Sequence, residues 1–159
     1  MKVTAQTTET SGEPGASAAA EPPPPPDWAW TLPDGPECAR HARAALDGVL
    51  AALGLSAGER GDARLMVSEL ATNAHQHATA PGPHELWLTR GPAGELRCAV
   101  FDRDTAARLP GYSWTSGDCG RGLSIVRELS DGRWGVASAV ARLGEPGPGK
   151  AVWFVIPRD

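Results

Sequence analysis

Three stretches of the chain carry residue types whose spacing could do chemistry. The first is Glu69-Leu-Ala-Thr-Asn73-Ala-His-Gln-His77-Ala. On a helix, Glu69, Asn73 and His77 stand at i, i+4 and i+8 and form one polar stripe beside Met66, Leu70 and Ala74. A carboxylate one turn from a carboxamide suits Mg²⁺, which wants hard oxygens, takes few from protein and fills the rest with water and phosphate. Any amphipathic helix also has a polar stripe, so a solvated face is the alternative; such a face would favour Lys, Glu and Arg over Asn and His among alanines. The second stretch is Ser116-Gly-Asp-Cys-Gly120-Arg121-Gly122-Leu123. Glycines there let backbone N–H groups turn inward, a following helix N-terminus favours an anion such as phosphate, and Arg121 adds a full charge. A flexible linker with a good helix start is the alternative. The third is Asp102, where an apolar strand opens into a loop: it could accept a hydrogen bond from a ligand amino group, or begin an Asx-turn.

Other patterns lead nowhere. Gly144-Glu-Pro-Gly-Pro-Gly149-Lys150 fits G-x-x-x-x-G-K, but Ala151 comes next, so no hydroxyl could reach Mg²⁺. Two prolines remove N–H donors, and the residues after Lys150 are strand-like rather than helical, so a Walker P-loop is rejected. His75, His77, His84 and the cysteines show no zinc spacing, and no Gly-x-Ser-x-Gly elbow is present.

The elements that must position these residues can be read from periodicity. Trp28–Pro33 alternates as an edge strand. Apolar positions Ala42, Leu46, Val49, Leu50 and Leu53 predict a helix over Glu37–Leu53, with Gly54 as its stop. Ser56 and Glu59 form a capping box for a second helix reaching about His77. Glu85–Arg90 and Leu96–Phe101 read as a hairpin around Gly91–Gly94. Periodicity is lost from Asp102 to Gly122, which predicts a long loop. Beyond it come a short helix over Gly122–Leu129, a strand over Trp134–Val140 and a buried strand over Ala151–Ile156. The order β-α-α-β-β-α-β-β predicts an α/β two-layer sandwich, a mixed and mostly antiparallel sheet with helices on one face.

Composition bounds the rest. With 159 residues and 41% hydrophobic content the chain holds one domain with a real core. Residues 1–27, with five consecutive prolines and almost no large apolar side chain, read as a disordered Pro-rich arm, leaving 28–159 as the folded domain. The net charge of −4 disfavours general nucleic-acid binding. No apolar run is long enough for a membrane span, no secretory h-region appears, and three widely spaced cysteines suit a reducing, cytoplasmic setting.

Taken together and in order, these motifs resemble the GHKL ATPases of the Bergerat fold. Glu69 to Ala78 resembles the N-box, Val100-Phe-Asp102 the start of the G1 box, and Gly120-Arg-Gly122-Leu123 the G2 box; Gly149-Lys150-Ala-Val-Trp-Phe resembles the last strand with its G3 position. More narrowly, SELATNAHQHA and GRGLSIVRELSDGRWGV resemble the anti-sigma factor serine/threonine kinases of the RsbW and SpoIIAB type, and the short actinobacterial ATP-binding regulators related to them. The resemblance spans about residues 28–157.

That resemblance implies ATP and Mg²⁺ as cofactors. It implies Asn73 as the Mg²⁺ ligand, Glu69 as the catalytic base, and Asp102 as acceptor for the adenine amino group. Gly120, Arg121, Gly122 and Leu123 would line the phosphates, and His77, Gly149 and Lys150 fall at further nucleotide-binding positions. The implied partners are a STAS-domain anti-anti-sigma protein as phosphoacceptor, a sigma factor held inactive, and a second copy in a homodimer. Three departures stand out. Arg103-Asp104-Thr105 lacks the G1 glycine, Ala151 replaces a common Thr, and Gly132 is inserted in the usual Asp-Arg-Trp. They leave room for an ATP-dependent binding module without significant kinase activity.

Overall fold

The computed structural model describes residues 24–77, 83–104 and 117–159. The arm expected over 1–27 and the loop expected over 102–122 therefore lie largely outside the described residues. Eight elements succeed one another: β1 (Trp28–Leu32), α1 (Glu37–Ala52), α2 (Ala57–His77), β2 (His84–Arg90), β3 (Leu96–Asp102), α3 (Gly117–Leu129), β4 (Trp134–Val140) and β5 (Pro148–Val155). The five strands form one sheet in the order β1-β2-β3-β5-β4, and all four ladders are antiparallel. The expected two-layer arrangement is present.

Local chemistry explains the helix ends. α1 closes with Gly54 at φ 89°, its N–H donating to Ala51 O (3.0 Å) while Leu55 N–H donates to Leu50 O (3.1 Å). This is the paired bonding of a Schellman cap, which needs the left-handed residue glycine supplies. The capping box at α2 is formed: Glu59 N–H donates to Ser56 Oγ (3.0 Å), and Ser56 N–H to Glu59 Oε1 (2.8 Å). The inserted Gly132 (φ 78°) comes after Asp131 (φ 58°), and its N–H closes α3 on Arg127 O at 2.8 Å.

Strand alternation sorts the sheet into two faces. Trp28, Trp30 and Leu32, Leu86 and Leu88, Leu96, Cys98 and Val100, and Val152 and Phe154 pack toward the helices. They meet Ala42, Leu46 and Leu50 of α1, Ala63, Met66, Val67, Leu70, Ala71 and Ala74 of α2, and Leu123 and Val126 of α3. Emptying one such site, Leu46→Ala for instance, costs about 2–5 kcal/mol. α1 and α2 are further tied by Arg60 and Arg64 to Asp47 (both 2.9 Å) and by Arg43 to Ser68 Oγ (2.6 Å). Among the described residues no helix is long and apolar enough to cross a membrane.

Three element starts differ from the periodicity reading. α3 begins at Gly117, not Gly122, so Gly120 and Gly122 lie inside a helix rather than in a loop before it. Glycine lowers helix propensity by only about 1 kcal/mol each, and packing of Leu123 and Val126 against α2 offsets that. β2 and β5 each start earlier than expected, at His84 and Pro148, because register with their neighbours extends the ladder past the apolar runs.

Candidate functional site

One end of the helix-facing side collects the polar residues. Across the sheet, register places Leu32 beside His84 and Lys150 between Asp102 and Ser138, and the β2–β3 ladder continued by one step sets His84 opposite Asp102. Asp102 is 2% exposed, a depth at which an isolated carboxylate would be costly. Lys150 Nζ donates to both of its oxygens, at 3.0 and 2.8 Å, and Asp104 N–H donates to Oδ1 at 2.9 Å. The Asx-turn reading of Asp102 is therefore realised, without exhausting the acceptor sites of a carboxylate.

α2 supplies the second wall. Its buried stripe runs Glu59, Ala63, Met66, Val67, Leu70, Ala71 and Ala74; Glu69 and Asn73 flank it, half-buried. Among the described residues just two buried side-chain polar atoms lack a partner, Asn73 Nδ2 and His84 Nδ1. Buried polar groups are paired in the great majority of cases, so an unpaired one calls for an explanation, and a ligand is a common one. Asn73 sits one turn after Glu69 near the C-terminal end of α2, and His84 opens the next strand. His84 is 4% exposed, and its charge environment comprises Asp102, Asp34, His75 and Lys150. Burial, the largest influence, pushes its pKa below the ordinary histidine value.

The side chains of His77, Arg121 and the α3 positions before Leu123 lie outside the described residues. The backbone there shows Gly117 to Gly120 as the first helical turn, whose N–H groups have no intrahelical acceptor. Leu123 is buried in the main core, against α2 rather than at the surface. Gly149 is buried in β5: a Cβ there would run into the backbone oxygen of Asp102 and stand 2.7 Å from Phe101 Cζ. Its need is thus steric, set by the strand next to it. Ala151, expected to weaken the adenine side, belongs to the cluster on the opposite face of the sheet, with Trp87, Ala99, Phe101, Ala139 and Ala141.

That opposite face holds a residue that sequence reasoning passed over. Glu85, 2% exposed, accepts from Trp87 Nε1 (2.8 Å), Arg142 N–H (2.9 Å) and Leu143 N–H (3.2 Å). Trp87 stacks on Phe101 with ring centroids 5.1 Å apart. Glu85 thereby fastens the turn between β4 and β5, which Arg103 also holds through Glu145 O (2.6 Å). The G-x-x-x-x-G-K match runs from this turn into β5, which pairs antiparallel with β4. No local signal marks Glu85, since its backbone partners are more than fifty residues away.

The groups present fit a nucleotide with its metal. Asn73, half-buried with an unpartnered Nδ2, and Glu69 one turn before it offer a donor and oxygens to phosphate and a hydrated cation, and a buried carboxylate across the sheet offers acceptors to an amino group. Comparison with known proteins points the same way. No curated protein sequence matches the chain. The SiaB–SiaC complex from Pseudomonas aeruginosa contains a chain with the same fold, at TM-score 0.51 and 14% identity, covering 82% of this chain and 89% of that one. The family model of the histidine kinase-like ATPase domain matches residues 32–137, from the end of β1 into β4. With α1, α2, β2, β3 and α3, the Glu69–Asn73 stripe and the buried Asp102 all inside that span, the chain belongs to the histidine kinase-like ATPase family.

Proposed function

We propose that the protein binds Mg·ATP at the end of the sheet where α2 meets β2, β3 and β5, and works as an anti-sigma-type serine/threonine protein kinase. The observation that carries this reading is the half-buried Asn73, whose buried Nδ2 has no partner, one turn from Glu69 in a chain of this family. Asn73 Oδ1 would hold the metal. Asp102 would accept the adenine amino group while Lys150, bonded to both its oxygens, orients its carboxylate. The N–H groups opening α3, with Arg121, would face the phosphates, and Glu69 would take the proton of the acceptor hydroxyl. Bound Mg·ATP supplies a phosphoryl group whose charge the metal offsets, so the protein's part is positioning and neutralisation. The acceptor would be a Ser or Thr of a STAS-type partner, with a sigma factor as the second protein bound. The similar fold of SiaB, which is found in a complex with SiaC, supports a protein partner.

A second reading has its own support. Asp102 is already engaged by Lys150, and Arg103-Asp104 stands where the family's G1 glycine is expected. An ATP-dependent binding module that transfers nothing would fit both.

Calorimetric titration of ATP with and without Mg²⁺, on wild type and Asn73→Ala, tests the common ground. Mg²⁺-dependent binding that weakens at least tenfold in the variant is expected; no binding by wild type would remove both readings. Phosphate transfer to the cognate STAS protein, abolished in Glu69→Ala, then selects the kinase, and its absence at saturating ATP selects the module.

A further inference from the structure

We infer that His84 is a base-specificity residue: its Nδ1 donates a hydrogen bond to N1 of adenine while the neighbouring Asp102 accepts from the 6-amino group. The inference rests on the ATP reading of this site and adds a contact to it.

Four observations carry it. His84 is almost wholly buried, yet Nδ1 has no partner within the protein. It lies on the helix-facing side of β2, one strand over from Asp102, so the two polar groups are cross-strand neighbours. Directly opposed residues on adjacent antiparallel strands have Cβ atoms about 4.5–5.5 Å apart, a spacing suited to reaching two neighbouring polar groups on one edge of a flat base. Ala151 brings no hydroxyl and faces the other side of the sheet, so it supplies no polar complement to Asp102, whereas His84 stands beside Asp102 in the same row. Lys150, also in the row, is committed to Asp102.

The chemistry matches one base edge. Adenine presents an amino donor beside the N1 acceptor. A carboxylate can only accept, and a neutral imidazole carries one N–H donor. Burial keeps the His84 ring neutral by pushing its pKa down. Guanine presents the reverse order, a carbonyl acceptor beside an N1–H donor, and would set its oxygen against the Asp102 carboxylate.

The test is titration of the full chain, with Mg²⁺, by ATP and by 1-deaza-ATP, which keeps the amino group and replaces N1 with carbon. Wild type is expected to favour ATP by about tenfold, the size of one buried hydrogen bond. His84→Val and His84→Phe, one suited to the strand and one keeping a flat ring, are expected to bind both nucleotides equally, at the wild-type affinity for 1-deaza-ATP. Equal binding by wild type, or a preference that survives in either variant, overturns the role of His84 and leaves ATP binding intact. No binding of ATP by wild type overturns the inference together with the reading beneath it.

Discussion

Lys150 and Asp102 face each other across the β3–β5 ladder, with Nζ 2.8 Å from Oδ2 and 3.0 Å from Oδ1 and side chains only 12% and 3% exposed. Charges so deeply placed are tolerated because each cancels the other. Removing one should cost more than removing both: Lys150→Met is expected to lose about 3–5 kcal/mol, and Lys150→Met/Asp102→Leu to recover much of it. Urea unfolding measures both, and a single-variant loss below about 1 kcal/mol would mean that the pair is solvated.

Gly149 has no room for a side chain, because the Asp102 carbonyl and the Phe101 ring close over it. Gly149→Ala should destabilise the fold by about 1–3 kcal/mol through overpacking. Gly48→Ala on the exposed side of α1, where a Cβ meets nothing, should be neutral or stabilising. Equal thermal midpoints for wild type and Gly149→Ala would contradict the packing described.

His84 links stability to pH. Its folded pKa lies below the unfolded value of about 6.5, chiefly by burial. Asp102 from β3 and Asp34 from the β1–α1 turn favour its charged form, while His75 from α2 and Lys150 from β5 oppose it. As pH falls below the unfolded value, the unfolded chain binds a proton that the folded chain refuses, so stability falls; at and above neutral pH the effect is absent. His84→Phe should flatten the stability profile on the acid side of about pH 6.5 relative to wild type. A superimposable profile would show that the ring is protonated freely in the fold.

Cys38 and Cys98 are both free and buried, and burial pushes their thiols up, Cys38 to about 11. Neither supplies thiolate at neutral pH, so neither should react with a disulfide reagent before unfolding. In a Cys119→Ser background, labelling in native buffer should be negligible and two thiols should appear in denaturant. Fast native labelling would place one of them at the surface.

Much of the fold was legible because its signals are local. The Ser56–Glu59 box, the Gly54 stop and the apolar period of α1 depend on residues within a few positions of each other, and each appears as read. The start of α3 was misplaced because glycines count against a helix locally, whereas burial of Leu123 and Val126 is decided by α2. Of the site, residue types and the Glu69-Asn73 spacing were visible, since one helix carries both.

What no spacing rule could reveal was the company those residues keep. Lys150 meets Asp102 across 48 residues of chain, Glu85 meets the β4–β5 turn across 57 and 58, and His84 is a lone histidine until pairing sets it beside Asp102. Helical periodicity is written into the chain because backbone geometry repeats about every 3.6 residues. Strand register is chosen by the whole sheet as it buries one face, and with it the choice of which charges lie together and which polar atoms are left without a partner.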